Sequence, residues 1–412
     1  MDGSGALTAD KREFEAIVVG GGPAGLTAAV ALAEAGVSTA LAGKPPAAAD
    51  NRTTALLASS VTALETLGVW RLCDDKSAPL RTLRIVDDTG RLWRAPEVKF
   101  EADEIDLDAF GWNIENRVLV AALTERARAL PNLTIVEDEA LGVTVHADHV
   151  AIVLRNGGTL EAPLAVGADG RKSLCREAAL IDVDERTYPQ VALTVCFRHT
   201  RPHRETSTEF HTPTGQCTVV PLPGNRSSLV WVLGPHDADD KAALDDAELS
   251  LAVEHAIHSI LGKVTVEPGR GLFPLGVVTA RSFARNRIVL VGEAAHVVPP
   301  VGAQGLNLGL RDAATIAELA GEAHRDGHDL GGELVLARYE KMRRSDVGSR
   351  TIAVDLLNRS LLTDFLPVQG ARGLGLDALD RIGPLRRAVM REGVAPRTAQ
   401  PKLMRGEPTW SR

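Results

Sequence analysis

The sequence predicts an α/β fold in which a Rossmann-like domain is interrupted by a second, α+β domain on an antiparallel sheet and followed by C-terminal helices. Residues 14–42 (FEAIVVGGGPAGLTAAVALAEAGVSTALA) contain a strand, a glycine turn, a helix and a second strand, which together make a βαβ unit. From about 188 to 235 the pattern changes to strands with Thr-rich and Pro-Gly turns, which favours antiparallel pairing. A strand that leads into a helix returns at 287, so the first domain is predicted to be discontinuous in sequence.

Other elements follow from local periodicity. The pattern predicts helices at 53–67, 116–129, 246–261 and from about 306 to 360, a hairpin over 82–93 that turns at 87–90, short strands through 133–168, and a short helical pair with a loose end after 365. The resulting division assigns 1–80, 101–180 and 281–365 to the first domain, 81–100 and 181–280 to the second domain, and 366–412 to a C-terminal helical tail.

Composition and charge exclude several classes of protein. The 412 residues carry a formal net charge of −8, which argues against a nucleic-acid partner because phosphate binding needs a basic surface. The four cysteines are scattered and form no CxxC pair, which indicates a reducing compartment and buried thiols. Residues 1–12 lack an apolar signal region, and no apolar run reaches the ~18 residues that span a bilayer. We therefore expect a cytoplasmic protein, with contact to a membrane surface left open.

One segment is a candidate for contact with a membrane surface or a partner protein. The apolar stretch IAVDLLNRSLLTDFLPV, residues 352–368, is suited to docking on a membrane or on a partner protein of a biosynthetic complex. It is equally suited to packing against its own domain, which is the more common role of such a stretch.

The first chemical motif is the glycine turn of the βαβ unit. Gly20, Gly22 and Gly25 have the GxGxxG spacing between a strand and a helix. Gly20 permits the tight turn, Gly22 allows close approach of a pyrophosphate, and Gly25 lets the helix pack on the strand. The positive end of the helix dipole then faces the phosphates. The motif predicts a dinucleotide site.

An expected acid is missing from that site. Dinucleotide folds usually place Asp or Glu about 20 residues further on, at the end of the second strand, where it binds the ribose hydroxyls. Here Ala42 and Gly43 occupy that place, and Lys44 follows. We therefore expect other residues to hold the ribose, or weak cofactor binding.

Two more segments join the motif. LAVGADGRKSLCR, residues 164–176, places Asp169 between glycines after a strand. GEAAHVVPPVGAQGLNLGLRD, residues 292–312, places Glu293 after a strand and then leads through prolines and glycines into a helix. The free N–H groups at such a helix start stabilise negative charge, as on the N1–C2=O edge of a reduced flavin.

The three segments, in this order, resemble the class A flavin-dependent monooxygenases with the para-hydroxybenzoate hydroxylase fold. Further stretches are similar to the ubiquinone-biosynthesis hydroxylase branch of that class. They are DNRTTALLASSVTALETLGVW (50–70), FGWNIENRVLVAAL (110–123), EFHTPTGQCTVVPLPGNRSSLVWV (209–232) and LARYEKMRRSD (336–346). The resemblance covers the chain from about 14 to 390.

The resemblance implies a Rossmann-like FAD-binding domain that holds FAD without a covalent bond. It implies a set of cofactor-binding residues: Gly20, Gly22, Pro23, Ala24, Gly25, Arg52, Arg117, Asp169, Glu293, Gly302, Ala303, Gln304, Gly305, Leu306 and Asn307. Glu293 takes the place of the family's usual Asp, whose side chain is one methylene shorter. Pro300 matches a position that abuts the substrate ring.

The implied reaction uses NAD(P)H to reduce FAD, and O₂ then forms a C4a-hydroperoxide that hydroxylates a phenol, here a lipophilic prenylated precursor of ubiquinone. No metal is required, and the chain shows no metal-binding motif. The catalytic base stays unassigned. Among its candidates, His211 lies on a strand of the substrate domain, His296 is more easily structural, and Tyr339 is predicted on an outer helix, with Tyr188 the other tyrosine.

Two other functions stay open at this point. One is FAD-dependent hydroxylation of a different phenolic metabolite. The other is a non-catalytic scaffold in a ubiquinone-biosynthesis complex, for which the missing ribose acid is the motive and against which the intact flavin-facing segment argues.

Overall fold

The computed structural model describes residues 11–44, 51–90, 96–300, 302–362, 382–394 and 400–409. The apolar stretch predicted to dock at 352–368 lies outside the described residues from 363 onwards, and so does much of the tail predicted after 365.

The strands of the described residues are numbered in chain order. They are β1 Lys11–Glu13, β2 Ala16–Val19, β3 Thr39–Ala42, β4 Thr53–Leu57, β5 Ala78–Pro79, β6 Thr82–Asp87, β7 Val98–Glu101, β8 Gly111–Glu115, β9 Leu133–Val136, β10 Ala140–Val145, β11 Val150–Leu154, β12 Thr159–Ala162, β13 Leu164–Gly167, β14 Val183–His199, β15 Thr206–Thr212, β16 Gly215–Leu222, β17 Arg226–Leu233, β18 Val264–Val266, β19 Gly271–Ala280, β20 Ala284–Arg285, β21 Ile288–Leu290 and β22 His296–Val297.

The α-helices are numbered in the same way. They are α1 Pro23–Glu34, α2 Ala58–Thr66, α3 Asn116–Arg128, α4 Leu174–Ala178, α5 Pro235–Ala243, α6 Asp246–Ala256, α7 Gln304–Arg325, α8 Glu333–Leu362 and α9 Gly383–Val394. Short 3-10 turns lie at Trp70–Leu72, Asp74–Lys76, Ala102–Ile105, Gly292–Ala294 and Lys402–Arg405.

A six-stranded sheet forms the Rossmann-like part. Its strand order is β20-β21-β13-β2-β3-β9, and every pairing is parallel except that of β20 with β21. All residues of β2, β3, β13 and β21 are buried, as expected for parallel strands that are covered on both faces. The strands of this sheet come from three distant parts of the chain.

A nine-stranded sheet forms the second part. Its order is β22-β19-β14-β17-β16-β15-β6-β7, with β18 beside β14. The pairings are antiparallel, with the exception of β15 and β6, which run parallel. One face packs against α5 and α6 through a cluster of aliphatic and aromatic residues that includes Leu193, Phe197 and Leu249. The opposite face is therefore the one available to a ligand.

Two small sheets complete the fold. One has the order β1-β12-β11-β10, and the other has the order β4-β8-β5. The second lies against the large sheet, because Thr53 Oγ1 donates to Ser228 Oγ at 2.8 Å and Asn113 Nδ2 donates to Pro221 O at 2.8 Å. These contacts join the Rossmann-like part to the large sheet.

The predicted helix at 53–67 is wrong in its first third. Thr53–Leu57 forms β4, and the helix begins only at Ala58. Each residue of β4 pairs antiparallel with β8, from Thr53 opposite Glu115 to Leu57 opposite Gly111. Pairing with a distant segment overrides the helical spacing of the local sequence.

Other elements agree more closely with the sequence patterns. The helix predicted at 116–129 is α3, and the one predicted at 246–261 is α6, which ends earlier, at Ala256. The predicted hairpin exists as β6 and β7, but its second strand lies at Val98–Glu101, beyond the predicted end at residue 93. Both strands join the large sheet.

Candidate active site

The glycine-containing segments meet at the carboxyl ends of the parallel strands. Ala168 N donates to Val19 O at 2.8 Å, and Val291 N donates to Gly167 O at 2.9 Å. The turns after β2, β13 and β21 therefore lie side by side. In open α/β sheets this edge is where ligands bind.

The glycines of the first turn have different roles. A Cβ on Gly25 would lie 2.0 Å from the carbonyl oxygen of Gly20, so the close packing of α1 on this turn requires glycine. A Cβ on Gly22 would meet no atom of the described structure within 4 Å. Pro23 begins α1, where its missing N–H costs nothing. The start of α1 thus has a cradle that a side chain at position 22 would fill, and this cradle fits the pyrophosphate of FAD.

The missing ribose acid has a steric counterpart. A Cβ on Gly43 would lie 2.6 Å from the backbone nitrogen of Gly21, so the end of β3 packs directly on the glycine turn. An acid at this position would need a shift of the backbone. Lys44 follows and is exposed, with its Nζ 3.9 Å from Glu139 Oε2.

Asp169 lies beside the glycine turn. A Cβ on Gly20 would be 3.0 Å from Asp169 N. The Asp169 carboxylate accepts hydrogen bonds from Ser173 Oγ at 2.5 Å and from Cys175 N at 3.1 Å. It therefore holds the start of α4 against the turn.

Glu293 lies on the 3-10 turn after β21. Its half-exposed carboxylate accepts a hydrogen bond from Arg171 Nε at 3.3 Å. The neighbouring Gly292 packs on α1, since a Cβ there would lie 3.2 Å from Ala24 Cβ. The third segment is thus in contact with the first helix, near its N-terminus.

The segment before α7 makes a second open helix start. Gly302 and Ala303 have φ angles of +63° and +55°, and they reverse the chain before Gln304 begins the helix. Gln304 Nε2 donates to Gly302 O at 2.9 Å. A Cβ on Gly305 would meet no described atom within 4 Å, whereas Leu306 packs against the main core.

Asn307 fixes this helix start to the rest of the fold. Its Oδ1 accepts from Leu57 N at 2.9 Å, and its Nδ2 donates to Ala55 O at 2.8 Å and to Ala303 O at 2.6 Å. The residue is 2% exposed. One amide therefore joins α7 to β4 with both its donor and its acceptor.

The two predicted arginines lie next to each other in the fold. Asn116 N donates to Arg52 O at 2.9 Å, so the chain before β4 runs beside the start of α3. The Arg52 guanidinium lies 5.7 Å from the centre of the Phe273 ring. Arg117 Nη2 lies 3.0 Å from Glu115 Oε1, and half of the Arg117 side chain is exposed.

The predicted substrate residues are joined through one face of the large sheet. Gln216 Nε2 donates to Pro300 O at 2.8 Å, so this face is turned to the segment before α7. His211 pairs with Gln216 across β15 and β16, which puts both side chains on the same face. His211 is 3% exposed, and its Nε2 lies 2.8 Å from Glu209 Oε1.

An apolar patch continues that face. Val230 lies opposite Thr218 in the sheet, and a buried cluster of three residues surrounds it. The cluster and the residues packed on it are Ala192, Val232, Leu275, Tyr188, Val230 and Phe273. Polar groups therefore lie at one end of the face and apolar side chains at the other.

A buried ion network lies under the third segment. The Asp312 carboxylate accepts from Gly292 N at 2.9 Å, is 2.7 Å from His296 Nε2, and accepts from Arg343 Nε at 2.6 Å. Arg343 Nη1 also donates to Asp346 at 2.7 Å. Burial alone would raise the pKa of Asp312, but Arg343 and His296 outweigh it and hold that pKa below its ordinary value.

Two of the candidate bases have structural roles. His296 belongs to the network and is completely buried, as its sequence context suggests. Tyr339 lies on α8 with its side chain fully buried, and its hydroxyl donates to Leu290 O at 2.7 Å. Burial raises the Tyr339 pKa well above its ordinary value.

Several functional candidates escaped the sequence analysis. Gln216, Thr218 and Glu209 are brought together by strand pairing that the sequence does not specify. A weak signal exists in GQCTVV, residues 215–220, where polar and apolar residues alternate as in a strand with one polar face.

The described residues contain no membrane-spanning helix, no metal cluster and no disulfide. No described helix is long and apolar enough to cross a membrane. The described side chains contain no cluster of three or more His, Cys, Asp or Glu that could hold a metal ion. The cysteines Cys73, Cys175, Cys196 and Cys217 are free and buried, and burial raises the pKa of the Cys73 thiol to about 12.

Comparison with known proteins agrees with this site. Residues 13–352 match the family described as FAD binding domain. The chain is 36% identical to ubiquinone hydroxylase UbiL of Rhodospirillum rubrum, over 96% of this chain and 93% of that protein. It is 31% identical to 3-demethoxyubiquinol 3-hydroxylase of Escherichia coli, over 92% of this chain and 97% of that protein.

Among solved structures, the fold is similar to that of p-nitrophenol 4-monooxygenase PnpA from Pseudomonas putida DLL-E4. The TM-score is 0.76 at 21% identity, over 94% of this chain and 99% of that one. The family match covers the glycine turn, the Asp169 turn and both ends of the segment before α7. The chain therefore belongs to the FAD-binding-domain family and is an FAD-dependent monooxygenase.

Proposed function

We propose that this monooxygenase hydroxylates the aromatic ring of a prenylated phenol, a precursor of ubiquinone, with NAD(P)H and O₂ as co-substrates. The observation that carries the proposal is the sheet face with His211 and Gln216, which is joined to Pro300 by a 2.8 Å hydrogen bond. A flat ring placed against this face would also lie against the segment before α7. The substrates named for the relatives from Rhodospirillum rubrum and Escherichia coli support the same class of compound.

Two helix starts would hold FAD. The cradle at Gly22 would take the pyrophosphate, and the start of α7 would take the isoalloxazine. When bound, the cofactor supplies the hydride acceptance and oxygen activation that side chains cannot. The remaining proposed contacts come from residues at the same sheet edge or beside β4, which are Gly20, Pro23, Ala24, Gly25, Arg52, Arg117, Asp169, Glu293, Gly302, Ala303, Gln304, Leu306 and Asn307.

The protein itself would orient the ring and exclude water. The apolar patch around Val230 and Val232 suits a prenyl chain, because burial of each CH₂ contributes about 0.8 kcal/mol. Gln216 and Asn307 hold the segment before α7 in place, which favours a fixed geometry for oxygen transfer. We also assign 81–100 to the substrate domain with 181–280, which the pairing of β6 with β15 supports.

Helix α9 supports a peripheral contact with a membrane. Ile382, Leu385 and Val389 are each 43–50% exposed and have the spacing of one helix stripe. Arg387 on the same helix is exposed, as arginines are on helices that bind anionic lipid surfaces, whereas Arg386 and Arg391 pair with Glu104 and Asp106. A membrane contact would bring the active site close to a lipid-dissolved substrate.

The first experiment is the visible spectrum of the purified protein, before and after FAD is added, followed by anaerobic NAD(P)H. A flavin band that NAD(P)H bleaches, faster with a prenylated phenol present, supports the proposal. Product analysis with prenylated and unprenylated phenols then identifies the substrate. A flavin that NAD(P)H reduces at the same rate with and without a phenol, or a protein that forms no hydroxylated product, would overturn the proposal.

A further inference from the structure

We propose that buried polar atoms on the substrate-facing side of the large sheet form an acceptor site for a neutral ring hydroxyl, with His211 as the proton acceptor. The site would select phenols and reject carboxylated rings such as benzoates. This inference rests on the proposed function and deepens it, because it names the chemical group that the protein recognises.

The primary observation is a group of buried atoms without partners. His211 Nδ1, Gln216 Oε1 and Thr218 Oγ1 are buried and have no hydrogen-bond partner among the described residues. Native proteins pair nearly all such atoms, because an unpaired buried polar atom costs free energy. A bound ligand that supplies the missing partners removes that cost.

Strand register places the atoms together. His211 lies opposite Gln216, and Glu209 lies opposite Thr218, in the antiparallel pair of β15 and β16. Residues directly opposite in such a pair share a face, and residues two apart on one strand share it as well. The four side chains therefore form one patch, next to Pro300, whose carbonyl accepts from Gln216 Nε2.

The hydrogen bonds already present define what the patch can accept. Ionised Glu209 can only accept, so the His211 nitrogen 2.8 Å away, Nε2, carries the proton and Nδ1 presents a lone pair. Gln216 uses its amide N–H toward Pro300, which leaves its oxygen as an acceptor. Two acceptors and the Thr218 hydroxyl therefore await donors.

The acidic side chains around the patch also favour a neutral hydroxyl over a carboxylate. Glu209 is on the strand of His211, and Asp87 on β6 lies level with His211 in the parallel pairing. The Asp87 carboxylate accepts from Thr89 N and Thr89 Oγ1. A substrate carboxylate would add another anion and no donor, whereas a phenol O–H supplies a donor without charge.

The proton step follows from this geometry. As oxygen is transferred to the ring, the phenol O–H bond breaks, its electron pair stays on the oxygen, and an N–H bond forms at His211 Nδ1. The carboxylate of Glu209 stabilises the resulting imidazolium. As the ring becomes aromatic again, the hydroxylated carbon loses its proton to solvent, and His211 returns its own proton to the oxygen of the product. Glu209 acts as a positioning residue through His211.

The test is a binding titration of the FAD-loaded protein, followed through the flavin spectrum. Its probes are a phenol, its methyl ether and the benzoate with the same ring. The wild type should bind the phenol about 10–100-fold more tightly than the ether, and the benzoate more weakly than the phenol. Thr218→Val and His211→Leu should each reduce the phenol-to-ether ratio, His211→Leu to about threefold or less. Equal ratios in wild type and both variants would overturn the inference.

Stability provides a second readout. Because Thr218 Oγ1 and His211 Nδ1 lack partners among the described residues, Thr218→Val should not lower the melting temperature. The matched control is His199→Asn, on the opposite face of the same sheet. Both ring nitrogens of His199 have partners, Arg201 O at 2.8 Å and Ser227 Oγ at 3.1 Å. This control should lower the melting temperature and leave the phenol-to-ether ratio unchanged.

Glu209→Gln tests the positioning role. The neutral amide can still bond to His211, so the variant should keep its KM for the phenol and lose about 10–100-fold in kcat. This is less than the ~10²–10⁴-fold that general base catalysis as a whole contributes, because His211 itself remains. A fall in KM and kcat together would contradict this role. If the wild type itself neither binds FAD nor oxidises NAD(P)H with any phenol, the proposed function fails too. If the wild type binds FAD and oxidises NAD(P)H with a phenol, but the variants behave like the wild type, the further inference fails and the proposed function stands.

Discussion

At the scale of single residues, the first glycine turn separates folding from cofactor binding. Gly25 is packed on Gly20, whereas Gly22 faces open space, although both belong to the same motif. The motif in the sequence gives the two positions equal weight. The structure distinguishes them, and a pair of alanine substitutions can measure the difference.

Gly22→Ala should keep the fold of the FAD-free protein and weaken FAD binding about tenfold or more, because the new methyl group fills the cradle for the pyrophosphate. Gly25→Ala should instead lower the melting temperature of the FAD-free protein, because its Cβ would clash with the carbonyl of Gly20. Flavin titration and thermal denaturation of both variants check this. Equal effects of the two substitutions on melting temperature would contradict it.

The role of Asn307 depends on both the oxygen and the nitrogen of its side-chain amide. Asn307→Asp should lower the free energy of unfolding by about 2–4 kcal/mol and reduce FAD content, because one carboxylate oxygen would then face the carbonyls of Ala55 and Ala303.

Asn156→Asp is the control for that change. Asn156 lies in an exposed turn, and its Oδ1 accepts from Gly158 N, a bond that an aspartate can keep. Its free energy of unfolding should change by less than about 0.5 kcal/mol. Chemical denaturation and the flavin-to-protein absorbance ratio measure both variants. A stable, fully yellow Asn307→Asp protein would refute the tie between α7 and β4.

Sequence reasoning at this scale succeeded where a residue type has one geometric use. The glycine spacing predicts the turn and the packing of α1, and the structure agrees at Gly25. The burial of Tyr339 could not be predicted from local sequence, because its hydrogen-bond partner, the carbonyl of Leu290, lies 49 residues away in the chain. The grouping of His211 with Gln216 and Thr218 was invisible for the same reason, since strand register is a property of the fold. The assignment of cofactor contacts to Arg52, Arg117 and Glu293 stays a prediction.

At the scale of elements, the buried ion network decides how the third segment is held. Asp312 on α7 binds the 3-10 turn through Gly292 and His296, and Arg343 on α8 neutralises it. Neither helix could carry its charge into this environment without the other. The segment that faces the flavin therefore depends on helix packing behind it.

Arg343→Met should lower the free energy of unfolding by about 3–5 kcal/mol at neutral pH, because the buried Asp312 carboxylate then loses the arginine that neutralises it. Arg344→Met is the matched control. The side chain of Arg344 is 58% exposed, and its loss should cost less than about 1 kcal/mol. Urea denaturation of the two variants separates the cases, and equal losses would argue against the network.

The same network predicts a pH dependence. The folded-state pKa of Asp312 is lowered, so its ionised form contributes stability that is complete above its unfolded pKa of about 3.9 and is lost as the pH falls through the lower folded value. The deficit of Arg343→Met relative to wild type should therefore shrink in acid. Denaturation at neutral and acidic pH tests this sign, and a deficit that grows in acid would contradict it.

Elements also mark the limit of local sequence patterns. The spacing of Leu56, Leu57, Val61 and Leu64 suits one continuous helix, yet the structure divides it at Ala58. Because β8 supplies a pairing partner for Thr53–Leu57, the backbone gains hydrogen bonds that a helix would otherwise provide. Pairing with β8, which lies more than fifty residues away in the chain, therefore decides between the strand and the helix.

At the scale of the whole molecule, α9 bears on where the enzyme works. Leu385→Asp with Val389→Asp should reduce binding to vesicles that contain anionic lipid by about tenfold or more. Leu251→Asp is the control, because Leu251 is 69% exposed as an isolated residue on α6. Co-sedimentation of the FAD-loaded protein with vesicles measures binding. Unchanged sedimentation of the double variant, or equal loss in the control, would overturn the membrane contact.

The interrupted parallel sheet has a consequence for biosynthesis of the protein. β13 cannot gain β21 as a neighbour until residue 290 has left the ribosome, and α7 follows later still. At about 5–20 residues per second, roughly 6–25 s pass between the synthesis of β13 and that of β21. During that interval one edge of β13 is unpaired, and an unpaired edge invites contact with other nascent chains. Cofactor capture is therefore a late event, and the availability of chaperones during translation should limit the yield of active enzyme.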